Sequence, residues 1–211
     1  MPERSLFRRS TYAGIRLLVR LVGVAFFNLR IKGREHIPPT AGGLVCANHQ
    51  SYFDPVIVGL AFDRRLNYLA RKTLFRFPPF RWLIEHLDAI PIDRDGFGLE
   101  GLKETIRRVK SGELVLIFPE GTRTRDGNMA PLKPGFCTVA RRAKANLIPV
   151  GFDGAFDVWP RSAPTPRLAT VHVVIGETIT AAEVDRLTDD EVVAELERRL
   201  RACHAQARAG R

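Results

Sequence analysis

The sequence predicts an α/β protein: a single domain with a mostly parallel central sheet flanked by helices. Short apolar runs alternate with helical stretches along most of the 211 residues, which is typical of parallel sheets. The composition, 45% hydrophobic and 27% charged, is that of a globular chain with a sizeable core. Polar clusters follow three of the apolar runs, where the functional sites of such sheets gather.

A basic amphipathic segment that associates with a membrane is predicted for residues 1–32, and the folded domain for residues 33–211. Residues 1–34 hold eight Lys and Arg against one Glu. Arg16 and Arg20 interrupt the apolar stretch 15–30, which is therefore too short to span a bilayer. A helix lying in the membrane interface fits this pattern, and a helix packed on the protein's own core is the alternative.

The predicted strands are short apolar runs bounded by Gly, Pro or polar residues. The first follows a stretch rich in Pro and Gly, the fourth is the clearest buried strand, and the last alternates in polarity. In chain order the strands are 43–47, 66–70, 89–92, 113–118, 147–152 and 169–176.

Helices are predicted between these strands. The third shows the apolar spacing of an amphipathic helix that ends at Gly112, and the last carries charged surface positions. In chain order they are 55–62, a short helix within 76–87, 98–112, 133–146 and a segment from about residue 180.

The stretch NHQSYFDP, residues 48–55, places His49 and Asp54 five positions apart. On a continuous helix these side chains would point roughly 140° apart, so they can meet only if the chain bends between them. Asp54 has two structural explanations as well. It could complete a capping box with Ser51, or it could be the N-cap itself with Pro55 at the first helical position.

The stretch FPEGTRTRDG, residues 118–127, ends a predicted buried strand. A turn containing Gly121 can expose backbone N–H groups, and Arg123 and Arg125 can grip a phosphate through paired hydrogen bonds. Arg94 and Lys72 could add positive charge to the same pocket. The alternative is a solvated turn with surface arginines.

The net charge of +10 predicts an anionic partner: nucleic acid, a membrane surface or a phosphorylated substrate. No nucleic-acid-binding motif is visible and aromatic residues do not interleave with the basic run, so no nucleic-acid partner is predicted. The three cysteines lack metal or disulfide spacing. This pattern favours a reducing compartment and no metal site.

Four stretches together resemble the glycerolipid acyltransferases typified by 1-acylglycerol-3-phosphate acyltransferase. In chain order they are NHQSYFD, IPIDRDG, FPEGTRTRDG and IPVGF, and the resemblance covers residues 33–152. It implies that His49 and Asp54 form a catalytic dyad. The residues that it assigns to the phosphorylated acceptor are Glu120, Gly121, Thr122 and Arg123, helped by Arg94, and residues 148–152 would line the core and the acyl pocket.

The resemblance implies an O-acyltransferase that moves a fatty acyl group to the hydroxyl of 1-acylglycerol 3-phosphate, giving phosphatidic acid for phospholipid biosynthesis. The donor would be acyl-CoA or acyl-carrier protein as a co-substrate, with no further cofactor. Another lyso-lipid or glycerol 3-phosphate is the alternative acceptor, and a non-catalytic basic module that binds membranes or nucleic acid is the remote alternative. The expected location is peripheral, on an anionic membrane at its cytoplasmic side.

Overall fold

The computed structural model describes residues 14, 23, 27–72, 90–92 and 98–211. Most of the predicted amphipathic helix within residues 15–30 falls outside these ranges. Arg94 and the short helix predicted within residues 76–87 also lie outside them.

A seven-stranded sheet forms the centre of the described part of the chain, in the order β1-β7-β6-β2-β5-β3-β4. Every neighbouring pair is parallel except β6 and β7, which confirms the predicted, mostly parallel sheet. The strands are β1 (Arg30–Lys32), β2 (Gly43–Ala47), β3 (Leu66–Arg71), β4 (Ile90–Ile92), β5 (Leu114–Ile117), β6 (Asn146–Asp153) and β7 (His172–Ile175).

Strand β1 was not among the predicted strands. Its three residues pair with β7 and include no fully buried side chain, so no apolar run marks them in the sequence. The last three residues of the segment assigned to the membrane therefore belong to the sheet.

Helices pack on both faces of this sheet. One 3₁₀ turn and six α-helices are described: Arg34–His36, α1 (Asp54–Ala61), α2 (Gly98–Lys110), α3 (Gly135–Ala143), α4 (Ala155–Val158), α5 (Ala181–Arg186) and α6 (Asp189–Ala209). Within the described ranges, none of these helices has the length and apolar character needed to cross a bilayer.

The C-terminal segment was predicted as one helix, but it forms two. Thr180 and Thr188 each start a helix with a complete capping box, closed by Glu183 and Glu191 respectively. Leu187 and Thr188 have extended backbone conformations, which end α5, and Thr188 then serves as the N-cap of α6.

Strand β2 shows why helices are needed on both faces. All five of its residues are buried. Leu44 and Cys46 face a core built with α2, α3 and α6, whereas Val45 and Ala47 face a second core that includes α1. A strand buried on both faces lies in the middle layer of three.

The register of the central strands positions the site. Cys46 pairs with Ile117 on one side, and Ala47 pairs with Val150 on the other. The segments that follow β2, β5 and β6 consequently leave the same edge of the sheet next to one another.

Candidate active site

His49 and Asp54 meet at this edge. His49 lies two residues beyond β2, Asp54 is the first residue of α1, and the chain bends between them. The Nδ1 atom of His49 lies 2.6 Å from Oδ2 of Asp54. The Asp54 side chain is fully buried and the His49 side chain is 19% exposed, so the imidazole forms the accessible end of the pair.

The Asp54 carboxylate is held by the backbone of its own turn. Oδ2 also accepts hydrogen bonds from the amides of Gln50, at 2.6 Å, and Ser51, at 2.7 Å. Oδ1 is buried without a hydrogen-bond partner among the described residues. Burial raises the pKa of Asp54, whereas the hydrogen bonds from His49 and the two amides act to lower it.

Neither predicted capping arrangement is observed. The N-cap residue of α1 is Phe53, and it makes no side-chain cap. The Oγ atom of Ser51 instead donates to the carbonyl oxygen of Trp159 at 2.8 Å and accepts from the amide of Phe53 at 3.2 Å. Asp54 does accept a hydrogen bond from the Ser51 amide, as in one half of a capping box. Its other hydrogen bonds join it to Nδ1 of His49 and to the Gln50 amide.

Further contacts hold the imidazole ring and the backbone of His49. Phe118 stacks on it with ring centroids 3.9 Å apart and planes inclined by 11°. The carbonyl oxygen of His49 accepts from the Thr124 amide at 2.8 Å. With Nδ1 bonded to a carboxylate, Nε2 is the ring nitrogen left to act on a substrate.

Glu120 links the stretch of residues 118–127 to the stretch of residues 48–55, which carries His49. Its Oε1 accepts from the His49 amide and its Oε2 from the Ala130 amide, both at 2.8 Å. Burial raises the pKa of this carboxyl, and the two amide hydrogen bonds oppose that rise. Both oxygens of the Glu120 carboxylate thus bond to backbone amides.

Gly121 makes the tight turn after Glu120. Its φ of +73° is one that side-chain-bearing residues rarely adopt, and a Cβ there would lie 3.1 Å from Nζ of Lys133. Thr122 follows it on the surface.

The predicted phosphate-binding cations differ in their surroundings. Arg123 is half-buried, with its guanidinium carbon 3.6 Å from the ring centroid of Tyr52, whereas Arg125 is exposed. Lys72 lies just beyond β3 and forms an ion pair with Glu100 at 3.6 Å. Arg94 lies outside the described residues.

Two side chains that sequence reasoning missed anchor the segment of the dyad to distant parts of the chain. Asn48 exchanges a pair of 2.9 Å hydrogen bonds with the backbone of Phe152, which ties the first block to the fourth. Gln50 is buried and donates to the carbonyl oxygen of Gly127 at 2.9 Å and to Asp153 at 3.3 Å. The polarity of these residues inside a motif was the available signal, but their partners lie more than 75 positions away.

Asp153 extends these contacts to the C-terminal end of the chain. Its carboxylate lies 3.3 Å from Nε2 of His204, 2.8 Å from Nη1 of Arg211 and 3.4 Å from Nη2 of Arg208. Burial by itself would raise the pKa of Asp153, but the hydrogen bonds from His204, Arg211 and Gln50 outweigh it and hold that pKa well below its ordinary value.

The arrangement provides an oriented histidine base backed by a buried carboxylate, beside a turn that carries arginines. Such a pair can take a proton from a hydroxyl group as that group attacks an acyl carbon. A guanidinium group nearby can hold an anionic part of the substrate.

Comparisons with known proteins identify relatives of this chain. The family described as Acyltransferase matches residues 28–153. The 1-acyl-sn-glycerol-3-phosphate acyltransferase of Bacillus subtilis is 29% identical over 168 residues, which cover 79% of this chain and 81% of that protein. The protein of the same name from Pseudomonas aeruginosa is 30% identical over 186 residues, covering 86% and 71%.

The crystal structure of the 1-acyl-sn-glycerophosphate (LPA) acyltransferase from Thermotoga maritima has the same fold. It superposes with a TM-score of 0.82 over 99% of this chain and 83% of that chain, at 23% sequence identity. The family match covers more than half of the sequence and includes both His49 and Glu120. This chain therefore belongs to the acyltransferase family.

Proposed function

We propose that this acyltransferase transfers a fatty acyl group from an acyl thioester to the free hydroxyl of 1-acylglycerol 3-phosphate, giving phosphatidic acid. The observation that carries the proposal is the 2.6 Å contact between Nδ1 of His49 and the buried Asp54, which orients Nε2 as a base. The relatives from two bacteria that bear this activity in their names support the choice of acceptor.

In the proposed mechanism, Nε2 of His49 accepts the hydroxyl proton while the oxygen attacks the thioester carbonyl. Asp54 keeps the proton on Nδ1 and stabilises the imidazolium that forms. The tetrahedral intermediate then collapses, the C–S bond breaks, and the thiolate leaves. The proton on Nε2 passes to the thiolate or to water, which returns His49 to its neutral form. Because a thiol has a pKa of ~8.5, this leaving group needs little help from an acid.

The acceptor phosphate is held, in this proposal, by the turn at Gly121, Thr122 and Arg123, with Arg125, Lys72 and Arg94 adding positive charge. Holding the phosphate places the hydroxyl near Nε2, so these residues act by positioning. Glu120 acts indirectly, because its carboxylate fixes the backbone of His49 and would repel a phosphate.

We further propose that the protein works as a peripheral enzyme on an anionic membrane at its cytoplasmic side. The net charge of +10 and the basic N-terminal segment support attraction to anionic lipid. A lysophospholipid acceptor also resides in or near a membrane.

The test is the release of free thiol from oleoyl-CoA in the presence of lysophosphatidic acid in detergent or liposomes. His49→Ala is expected to lower the rate by ~10²–10⁴-fold, because the general base is removed. Acyl-carrier protein thioesters, glycerol 3-phosphate and other lyso-lipids in the same assay identify the donor and the acceptor.

The matched control is His36→Ala. His36 is a half-buried histidine that contacts the carbonyl oxygen of Ile175 in β7, two strands away from β2 in the sheet, so its loss should leave the rate within a few-fold of the wild type. Equal rates for folded His49→Ala and the wild type would rule out the dyad mechanism.

A further inference from the structure

Tyr52 lies inside the stretch that carries the dyad, yet the mechanism above assigns it nothing. This residue is 50% exposed, which is unusual for a large aromatic residue so close to a buried pair. Ser51 and Phe53 on either side of it are engaged in hydrogen bonds of the turn. The exposure of Tyr52 therefore does not result from a loose segment.

The face of the Tyr52 ring is covered by Arg123. The guanidinium carbon lies 3.6 Å from the ring centroid, which is well inside the ~6 Å range of cation–π attraction. Trp159 contacts the same tyrosine with its ring centroid 5.2 Å away, and Trp159 is itself tied to the turn through Ser51. Trp159 thus holds the Tyr52 ring in place, and the longer side chain of Arg123 lies against the face of that ring.

Arg123 reaches this position with a donor atom unused. Its Nη1 is buried and has no hydrogen-bond partner among the described residues. A buried donor without an acceptor costs free energy, and such groups in native structures call for an explanation. An anionic ligand that supplies the acceptor would remove this cost.

We propose that Tyr52 is a positioning residue that holds the guanidinium of Arg123 ready for the phosphate of the acceptor. The inference rests on the proposed function, in which Arg123 binds that phosphate. Stacking on a ring fixes the plane of the guanidinium, and the N–H groups that form paired hydrogen bonds with phosphate oxygens lie in that plane. Tyr52 thereby strengthens the binding of the acceptor phosphate.

The experiment compares Tyr52→Leu, which removes the π face but keeps apolar bulk, with Tyr52→Phe, which keeps the face. Initial rates are measured over a range of lysophosphatidic acid at fixed oleoyl-CoA, and over a range of oleoyl-CoA at fixed acceptor. Tyr52→Leu is expected to raise the KM for the acceptor by about 3- to 10-fold, the size of one cation–π contact, with kcat and the KM for oleoyl-CoA unchanged. Tyr52→Phe should retain the wild-type KM.

The same comparison is made in an Arg123→Gln background. If the ring acts through the arginine, Tyr52→Leu adds no further increase once Arg123 is gone. Arg142→Gln is the matched control, because Arg142 is an exposed arginine in α3, near the opposite edge of the sheet, and its loss should change neither KM.

The outcomes distinguish a failure of the role proposed for Tyr52 from a failure of the phosphate site proposed at Arg123. If Arg123→Gln raises the KM for the acceptor and Tyr52→Leu does not, the role of Tyr52 is overturned and the proposed function stands. An equal rise in both KM values with Tyr52→Leu, or a failure of Tyr52→Phe to restore the wild-type value, also overturns it. An Arg123→Gln variant with an unchanged KM for the acceptor overturns the phosphate site itself.

Discussion

At the scale of single residues, the site depends on side chains whose partners are backbone groups. Asp54 accepts from two amides of its own turn as well as from His49, and Glu120 accepts from the amides of His49 and Ala130. Both carboxylates are almost fully buried. A buried carboxylate that bonds to amides fixes the backbone more rigidly than an exposed one, so these residues set where the imidazole stands.

Replacing Glu120 by Gln is expected to lower the free energy of unfolding by about 1–3 kcal/mol. The amide can accept one hydrogen bond, but its NH₂ group then faces a backbone N–H donor at the other position. Urea unfolding measures the loss, and kcat should fall as His49 shifts.

In steady-state kinetics of Glu120→Gln, the KM for the acceptor should stay the same or fall, because the substitution removes a negative charge near the proposed phosphate site. A large rise in that KM without loss of stability would show that Glu120 binds the substrate directly, as the resemblance alone implied.

At the scale of elements, helix α6 is fastened to the segment that carries the dyad. His204 and Arg208 of the helix, and Arg211 just beyond it, approach Asp153 at the end of β6. Asp153 in turn accepts from Gln50, the neighbour of His49. Helix α6 is thus linked through Asp153 and Gln50 to the segment that carries His49, although the helix lies outside the residues that the family matches.

Asp153→Asn tests this support. Because the contacts of Asp153 depress its pKa, the stability that they contribute is fully present above the unfolded pKa of about 3.9 and is lost as the pH falls below it. We expect a loss of about 2 kcal/mol at pH 7, measured by urea unfolding, that shrinks towards pH 3.

Asp157→Asn is the control for this experiment. Asp157 also pairs with Arg211, but half of its side chain is exposed, so its loss should have a small effect at any pH. A deficit of Asp153→Asn that is the same at pH 7 and pH 3 would mean that packing, and not charge, holds the helix.

At the scale of the whole molecule, the sheet lies between two hydrophobic cores, and the candidate site lies at one edge of the sheet. All three cysteines are free and buried within these layers. Burial raises the pKa of the Cys46 and Cys203 thiols, and burial together with Asp189 raises that of Cys137 to about 11. Thiols in this state are poor nucleophiles, so the fold gives none of them a role in acyl transfer.

The native protein should therefore react negligibly with a thiol reagent at pH 8, and three thiols should react once urea unfolds it. The measurement is the absorbance of the chromophore that the reagent releases when it reacts with a thiol, followed over time with and without urea. One thiol that reacts quickly in the native state, and whose blocking abolishes acyl transfer, would contradict the dyad mechanism.

The sequence was sufficient for the fold class and for most strands, because a strand buried on both faces is a continuous apolar run, as residues 43–47 and 114–117 are. It was not sufficient for β1, which has no apolar run, or for the break between α5 and α6, where two capping boxes outweigh the helical character of the segment. Family resemblance indicated His49 and Asp54, since both lie in one short stretch.

Only the tertiary structure decided how those residues are held. The stacking of Phe118 on His49, the bridge from Glu120 to the His49 amide and the support of Arg123 by Tyr52 each join segments about 70 positions apart. Composition, periodicity and spacing describe what a segment does with its neighbours along the chain. Contacts at the edge of a parallel sheet depend instead on strand order and register, which follow from how the whole chain packs.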